Sequence, residues 1–134
     1  QRGLPPRPVL GADTEVVLGG AIFGKPADAA DAARMLSLLS GRRHDVLTAI
    51  AIRWERQIVL AVCASTVTFA ELAADRIERY VATGEPFDKA GAYAVQGRAA
   101  AFIRRIEGSY SGVMGLPLHE TALLLSRARV RLQL

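Results

Sequence analysis

Two long runs rich in β-branched residues lie almost side by side near the middle of the chain. The first is HDVLTAIAIRW (44–54) and the second is QIVLAVCASTVTF (57–69), with only Glu55 and Arg56 between them. Such runs favour strands, and so short a connection joins antiparallel neighbours. The sequence therefore predicts a long hairpin within a mixed or antiparallel sheet.

Three segments carry apolar residues at helical spacing. ADAADAARMLSLLSG (27–41) has Asp28 near its start and Gly41 just past its end, as helices often do. ELAADRIERYVATGE (71–85) is closed by Gly84, and LPLHETALLLSRARV (116–130) tolerates Pro117 in its first turn. These three segments are predicted to be helices.

Shorter strand signals surround these helices. EVVLGGAIFGKP (15–26) predicts a strand, a Gly19–Gly20 turn and a short return strand. AFIRRIEG (101–108) and YSGVMG (110–115) are predicted as further strands. Strands then outnumber helices, which indicates an α/β protein of the α+β kind.

The chain has the size of one domain. Its 134 residues, 51% of them hydrophobic, can bury one real core but not two, so residues 1–134 are predicted to form a single domain with a linker-like start at residues 1–7. No apolar segment approaches the ~20 residues of a membrane span. One cysteine, Cys63, lies in an apolar run and fits a buried thiol in a reducing compartment. A cytoplasmic protein without a membrane partner is expected.

The net charge of +4 raises the question of a nucleic-acid partner. The arginines are scattered and have no aromatic residues between them, which favours solvated surfaces. Of the seventeen basic residues only Lys25 and Lys89 are lysines. A compact ammonium group binds phosphate oxygens differently from a planar guanidinium group, so these two lysines are either chance survivors or phosphate ligands.

Two polar features exceed what a simple fold needs. Asp13 interrupts an apolar strand pattern in VLGADTEVV (9–17), where it either caps a turn or acts in catalysis. GEPFDKAGAYAVQG (84–97) gathers Asp88, Lys89, Tyr93 and Gln96 among glycines that let a ligand approach the backbone closely. The alternative for this segment is a structural turn followed by a short helix.

Other chemistries find little support in the sequence. His44 and His119 stand in different elements with no cysteine or histidine at ligand spacing, so a satisfied or exposed histidine is favoured over a zinc ligand. The serines lack the context of a nucleophile elbow, which argues against hydrolytic triads.

Taken in order, five motifs resemble the Maf family of nucleoside triphosphate pyrophosphatases. They are VLGADTEVVLGG, GKP, MLSLLSGRRHDVLTAIAI, EPFDKAGAYAVQG and IEGSYSGVMGLPL, and the resemblance extends from Pro8 to about Ser126. It implies an elongated, two-lobed fold with a mixed sheet, similar to that of the inosine triphosphate pyrophosphatases. It also implies hydrolysis of a nucleoside triphosphate to the monophosphate and pyrophosphate, with Mg²⁺ or Mn²⁺ as cofactor. A homodimer, removal of noncanonical nucleotides and arrest of cell division are suggested by the same resemblance.

The resemblance also assigns roles to individual residues. Asp13, in the GAD motif, matches the family's proton acceptor, which acts directly or through a metal that it helps to hold. Lys25 and Lys89 match lysines near the phosphates, and Asp88 is a further metal or water contact.

Two positions that separate the branches of the family by nucleobase are Thr14 and Gln96 here, as in the branch that acts on dTTP and UTP. A neutral amide can both donate to and accept from a pyrimidine edge.

One part of the family pattern does not occur in this sequence. It is the first strand and the SxSPRR loop that grips the phosphates, with an acidic residue and a lysine that follow. We therefore expect either a fragment whose missing part is supplied elsewhere or lost, or a front that is present in the gene. The alternatives to an active pyrophosphatase are a truncated nucleotide-binding domain with little activity and a non-enzymatic, arginine-rich nucleic-acid binder.

Overall fold

The computed structural model describes residues 7–127, which form one five-stranded antiparallel sheet with helices. The strands are β1 (Val9–Leu18), β2 (Ala21–Phe23), β3 (Arg43–Trp54), β4 (Gln57–Phe69) and β5 (Ile103–Glu107), in the spatial order β2-β1-β3-β4-β5. The α-helices are α1 (Ala29–Leu39), α2 (Ala74–Ala82), α3 (Tyr110–Met114) and α4 (Leu118–Arg127). Two 3₁₀ helices cover Ala90–Ala92 and Arg98–Phe102.

The β3–β4 hairpin is the longest pairing of the sheet and confirms the prediction. Its register runs without a break from Trp54 opposite Gln57 to Arg43 opposite Thr68. Glu55 takes a positive φ of 55° in the two-residue turn. The mixed α/β fold is confirmed as well, and of the two kinds of sheet left open by the sequence, all pairings within residues 7–127 are antiparallel.

The β1–β2 turn shapes the edge of the sheet. Gly19 and Gly20 both have positive φ, as the predicted turn requires. Because β2 has three residues, it pairs with β1 only from Val16 to Leu18. Residues 9–15 of β1 therefore have a neighbouring strand on the β3 side alone in the described part of the chain.

The first two predicted helices are confirmed, with their caps. The Asp28 carboxylate accepts a hydrogen bond from the Asp31 amide at 2.8 Å, which satisfies one free N–H at the start of α1. Gly41 and Gly84 follow α1 and α2 with φ values of 66° and 80°. Their left-handed backbone ends each helix where the sequence predicts.

The helices cover one face of the sheet. A large apolar cluster joins α1, α2 and both 3₁₀ helices to the β1, β3 and β4 residues Val16, Val46, Val67 and Phe69. A smaller cluster packs Leu124 of α4 on Ile50 and Ile52 of β3. On the opposite face of β4, Ile58, Leu60 and Val62 are 65%, 70% and 69% exposed.

Two of the predicted strands need correction. YSGVMG is not a strand: it forms α3, because the Ser109 hydroxyl caps the Gly112 amide and Gly115 takes a φ of 117°. AFIRRIEG is a strand only from Ile103, since the second 3₁₀ helix extends to Phe102.

The final helix is confirmed from Leu118 to Arg127. The carbonyl of Pro117 accepts from the amide of Thr121, so the proline stands immediately before the helix and supports its first turn. The predicted extension to residue 130 and nearly all of the linker-like start lie outside the described residues, and the single domain over 1–134 stays a prediction. No helix within 7–127 is long and apolar enough to cross a membrane.

Candidate functional site

A cavity of about 480 Å³ opens beside the half of β1 that β2 does not reach. Five parts of the chain line it: β1, the β2 region, β3, the segment around the first 3₁₀ helix, and the end of α3. The lining residues used below are Asp13, Thr14, Glu15, Val16, Lys25, Asp88, Lys89, Tyr93, Val113, Met114 and Gly115. A cavity of this size between separate elements can admit a small-molecule ligand.

Most of the predicted site residues meet in this cavity. Asp13, Thr14, Lys25, Asp88 and Lys89 all line it, although they come from three segments of the chain. Both lysines of the sequence therefore face one cavity that also contains two of the predicted carboxylates.

Gln96 stands apart from this group. It is exposed and does not line the cavity, although it follows Tyr93 by three residues. Its predicted role in nucleobase selection therefore rests on the family resemblance alone.

Strand geometry separates the two adjacent residues of the GAD motif. Successive side chains of a strand point to opposite faces, so Asp13 and Thr14 leave β1 on different sides. Asp13 also lines a shallow apolar depression with Leu60 and Val62 on the uncovered face. Thr14 lies on the covered face, where its hydroxyl oxygen is 3.0 Å from that of Thr48 on β3.

A close backbone approach holds the Lys25 and Lys89 segments together. The amide of Gly91 donates to the carbonyl of Gly24 at 3.1 Å. A Cβ at Gly91 would lie 2.8 Å from the Val16 side chain, and the residue has a φ of 73°. Only glycine fits these two conditions well, so this position explains one glycine of the GEPFDKAGAYAVQG segment.

Tyr93 forms part of the cavity wall and is held by a buried histidine. Its hydroxyl group is 2.7 Å from Nε2 of His44. Burial lowers the pKa of His44 to about 4 despite the nearby Asp45, so the ring is neutral at pH 7. Burial also raises the pKa of Tyr93, which keeps the phenol protonated. Nε2 of His44 is thus hydrogen-bonded, whereas its buried Nδ1 has no hydrogen-bond partner within residues 7–127.

Glu85 is a residue whose importance the sequence did not reveal. Its carboxylate accepts from the amides of Arg98 at 2.8 Å and Ala99 at 3.2 Å, and from the hydroxyl group of Tyr80. Burial alone would raise the pKa of Glu85, but these hydrogen bonds outweigh it and hold the pKa below its usual value. The Tyr80 hydroxyl also accepts from the Ala94 amide at 3.2 Å. Tyr80 of α2 and the Glu85 carboxylate together therefore hold the backbone on both sides of Gln96.

The carboxylates of the cavity fit a divalent cation that is shared with a substrate. Asp13, Glu15 and Asp88 line the cavity, although residues 7–127 contain no compact cluster of three or more ligating side chains. Mg²⁺ is commonly held by one or two carboxylates, with substrate phosphates and water completing its shell. The donor set is thus suitable for a metal that is shared with a phosphate-bearing ligand.

Comparison with known proteins shows which family this chain resembles. The model of the family described as Maf-like protein matches residues 2–128. A protein of Burkholderia pseudomallei (strain 1710b) named dTTP/UTP pyrophosphatase is 60% identical over 131 residues, which are 96% of this chain and 63% of that protein. Proteins with the same name from a Polaromonas species and from Chromobacterium violaceum are 57% and 56% identical, over 98% and 92% of this chain.

The protein belongs to the Maf family, since the family model and these relatives cover nearly all of it. The chain spans 63% to 65% of the length of the three relatives.

Proposed function

We propose that this chain belongs to a nucleoside triphosphate pyrophosphatase that hydrolyses dTTP and UTP to the monophosphate and pyrophosphate. The observation that carries the proposal is the meeting of Asp13, Lys25 and Lys89, from three segments, around one cavity. The relatives named dTTP/UTP pyrophosphatase support the choice of substrates. The nucleotide is then the partner of the site.

The proposed roles follow from the charge that develops during hydrolysis. Attack on the α-phosphorus requires a water molecule that loses a proton, and a carboxylate can accept that proton. We assign this role to Asp13. Lys25 and Lys89 would bind the phosphate oxygens and offset the negative charge that accumulates on the pyrophosphate leaving group. We assign to Asp88, which lines the same cavity, a further contact with water or metal.

A divalent cation, Mg²⁺ or Mn²⁺, would be held by Asp13 with help from Asp88 and would supply Lewis-acid polarisation of the phosphate. The chain's own residues must still orient the nucleotide. Lys25 and Lys89 belong to segments joined by the Gly91–Gly24 hydrogen bond, so their ammonium groups extend from a shared support. That support favours a fixed distance between the two phosphate contacts.

The nucleobase is proposed to be selected by Thr14 and Gln96. Thr14 lines the cavity beside the apolar side chains of Val113 and Met114, which suit the faces of a pyrimidine. Gln96 enters this proposal through the family resemblance, and its amide could both donate to and accept from the base.

The biological role we propose is the cleaning of nucleotide pools in the cytoplasm, with a homodimer as the working form. The free, buried Cys63 fits a reducing compartment. Inhibition of cell division is a second consequence that the family resemblance suggests.

The proposal is tested with the complete product of the gene that encodes this chain. Pyrophosphate release from dTTP, UTP, CTP, dATP and GTP is measured with Mg²⁺ and with Mn²⁺. We expect dTTP and UTP to have the highest kcat/KM. Equal rates for all five nucleotides, or rates at background for dTTP and UTP, would contradict the proposed function.

A further inference from the structure

Three hydrogen-bonding groups form a short chain below the floor of the cavity. The hydroxyl oxygens of Thr14 and Thr48 are 3.0 Å apart, and that of Thr48 is 2.8 Å from the carbonyl oxygen of Gly112. Thr48 is fully buried between β1 and α3, whereas Thr14 reaches the cavity. This series of hydrogen bonds thus runs from α3 along the covered face of the sheet to the site.

Each proton in this series of hydrogen bonds can be assigned to its donor. A carbonyl oxygen only accepts, so the proton between Thr48 and Gly112 belongs to the Thr48 hydroxyl. A hydroxyl group has one proton, and that of Thr48 is now used. The proton between the two threonines therefore comes from Thr14. This leaves Thr14 with acceptor lone pairs only for a ligand in the cavity.

Because Thr14 can only accept a hydrogen bond from a ligand, it favours ligand groups that donate one. Phosphate oxygens are acceptors as well at neutral pH, so they have no hydrogen bond to make with Thr14. The surroundings suit a nucleobase, because the apolar residues Val113 and Met114 line the same cavity and a Cβ on Gly115 would lie 3.7 Å from the Thr14 hydroxyl oxygen. The matching ligand group is a base N–H.

We propose that Thr48 is a positioning residue that fixes Thr14 as a hydrogen-bond acceptor for the N3–H group of uracil or thymine. This inference rests on the proposed function and adds a mechanism for its choice of base. Uracil and thymine carry a proton on N3, whereas cytosine presents a bare N3 acceptor. With the Thr14 proton engaged by Thr48, cytosine N3 would face another acceptor and bind poorly.

The test compares Thr48→Val with Thr48→Ser in the complete gene product. Valine keeps the branched shape but has no hydroxyl group, so the Thr14 proton is released and can turn towards cytosine N3. The Gly112 carbonyl stays paired in this variant, because it also accepts from the Gly115 amide at 3.0 Å. Serine preserves the hydroxyl group and is the matched control. Thermal unfolding verifies that both variants fold.

The readout is the preference for uracil over cytosine, measured in two ways. One is the ratio of kcat/KM for UTP to that for CTP. The other is the ratio of affinities for the non-hydrolysable α,β-imido analogues of UTP and CTP, by calorimetry. We expect Thr48→Val to reduce each ratio by about tenfold or more, roughly the effect of one hydrogen bond, and Thr48→Ser to retain it. A purely structural role would lower UTP and CTP values equally.

Each outcome bears on the inference. A preference that Thr48→Val leaves unchanged would overturn it, as would a parent protein whose binding shows no preference for uracil. If Thr48→Val does not fold, Thr14→Val takes its place, and a preference that survives this substitution overturns the inference. If the parent protein binds the UTP analogue selectively without turnover, and Thr48→Val reduces that selectivity, the proposed reaction is refuted while the role of Thr48 is supported.

Discussion

The two faces of the sheet differ sharply in what lies on them. On the covered face, Ile50 and Val67 are 1% and 0% exposed beneath the helices. On the other face, Leu60 and Val62 are 70% and 69% exposed, although they belong to the same hairpin. Asp13 lies on the uncovered face and Thr14 on the covered one. Stability and the proposed recognition of the nucleobase therefore depend on one face, whereas the proposed proton acceptor projects from the other.

This difference separates effects on folding from effects on chemistry. Substitutions on the uncovered face remove little buried surface, so they should leave the free energy of unfolding nearly unchanged. They should alter activity only where the side chain takes part in the reaction. Substitutions on the covered face or in its hydrogen-bond network should change the free energy of unfolding. The five predictions below test that separation, from the largest expected effect to the smallest.

The largest effect is expected at Asp13. Asp13→Asn removes the proposed proton acceptor, so pyrophosphate release in the complete gene product should fall by ~100-fold or more, with an unchanged melting temperature. Asp45→Asn is the matched control, because Asp45 is an exposed aspartate of β3 that does not line the cavity. Activity above about a tenth of the parent value in Asp13→Asn would show that another group accepts the proton.

The second prediction concerns pH and the buried His44. Its pKa is about 4 in the folded state, against 6.5 for the free side chain, so the unfolded chain binds a proton that the folded chain rejects. The neutral, buried His44 therefore adds about 3 kcal/mol to the free energy of unfolding above pH 6.5. This contribution is lost as the pH falls towards 4.

The measurement is urea unfolding at pH 7 and at pH 4. His44→Gln should weaken the pH dependence of the free energy of unfolding, while His119→Gln, which alters an exposed histidine, should preserve it. If His44→Gln and the parent protein show the same pH dependence, His44 is not buried in the neutral form.

The third prediction concerns the carboxylate that supports the Gln96 segment. Glu85→Ala leaves the amides of Arg98 and Ala99 and the Tyr80 hydroxyl group without their acceptor. Because Glu85 is partly exposed and water can replace some of these bonds, we expect a loss of about 2 kcal/mol in the free energy of unfolding. Glu78→Ala, at an exposed position of α2, should change it by less than about 0.5 kcal/mol. Equal effects of the two substitutions would contradict the anchoring role.

The fourth prediction addresses the two lysines. Lys25→Arg and Lys89→Arg keep the charge but replace a compact ammonium group by a larger planar one, so kcat/KM for UTP should fall roughly tenfold without loss of stability. Arg53→Lys, an exposed exchange in the opposite direction, is the control and should be neutral. Full activity of both lysine variants would return Lys25 and Lys89 to ordinary surface charges.

The smallest effect is expected on the uncovered face. Leu60→Thr should alter the free energy of unfolding by less than about 0.5 kcal/mol, because the side chain is already in contact with solvent. Ile50→Thr makes a similar chemical change on the covered face and should cost at least about 2 kcal/mol. A large loss in Leu60→Thr would show that the uncovered face is buried in the protein in solution.

The sequence predicted those parts of the fold that local signals determine. The β-branched runs on either side of Glu55 and Arg56 defined the β3–β4 hairpin, and Asp28 with Gly41 defined α1. YSGVMG was wrongly predicted as a strand from its residue pattern. Two features at its ends, the Ser109 cap and the left-handed Gly115, outweigh that pattern and make the segment a helix. The 3₁₀ helix at Arg98–Phe102 could not be predicted, because its amides are satisfied by Glu85, thirteen residues earlier.

The candidate site was predictable to a similar extent. Asp13, Thr14, Lys25, Asp88 and Lys89 were identified from motifs, and they line one cavity. The contacts behind them were beyond sequence reasoning, since Thr48, His44 and Glu85 act through neighbours that are distant along the chain. Gln96 is the opposite case. It belongs to the same motif as Asp88 and Lys89, but it does not line the cavity.

The central claim is that this site directs water to the α-phosphorus of dTTP or UTP. The most direct measurement is hydrolysis of UTP by the complete gene product in water enriched in ¹⁸O, followed by mass spectrometry of the products. The proposed reaction predicts one ¹⁸O atom in UMP and unlabelled pyrophosphate. Label in the pyrophosphate, or release of UDP and orthophosphate, would contradict the account, because water would then attack a different phosphorus atom.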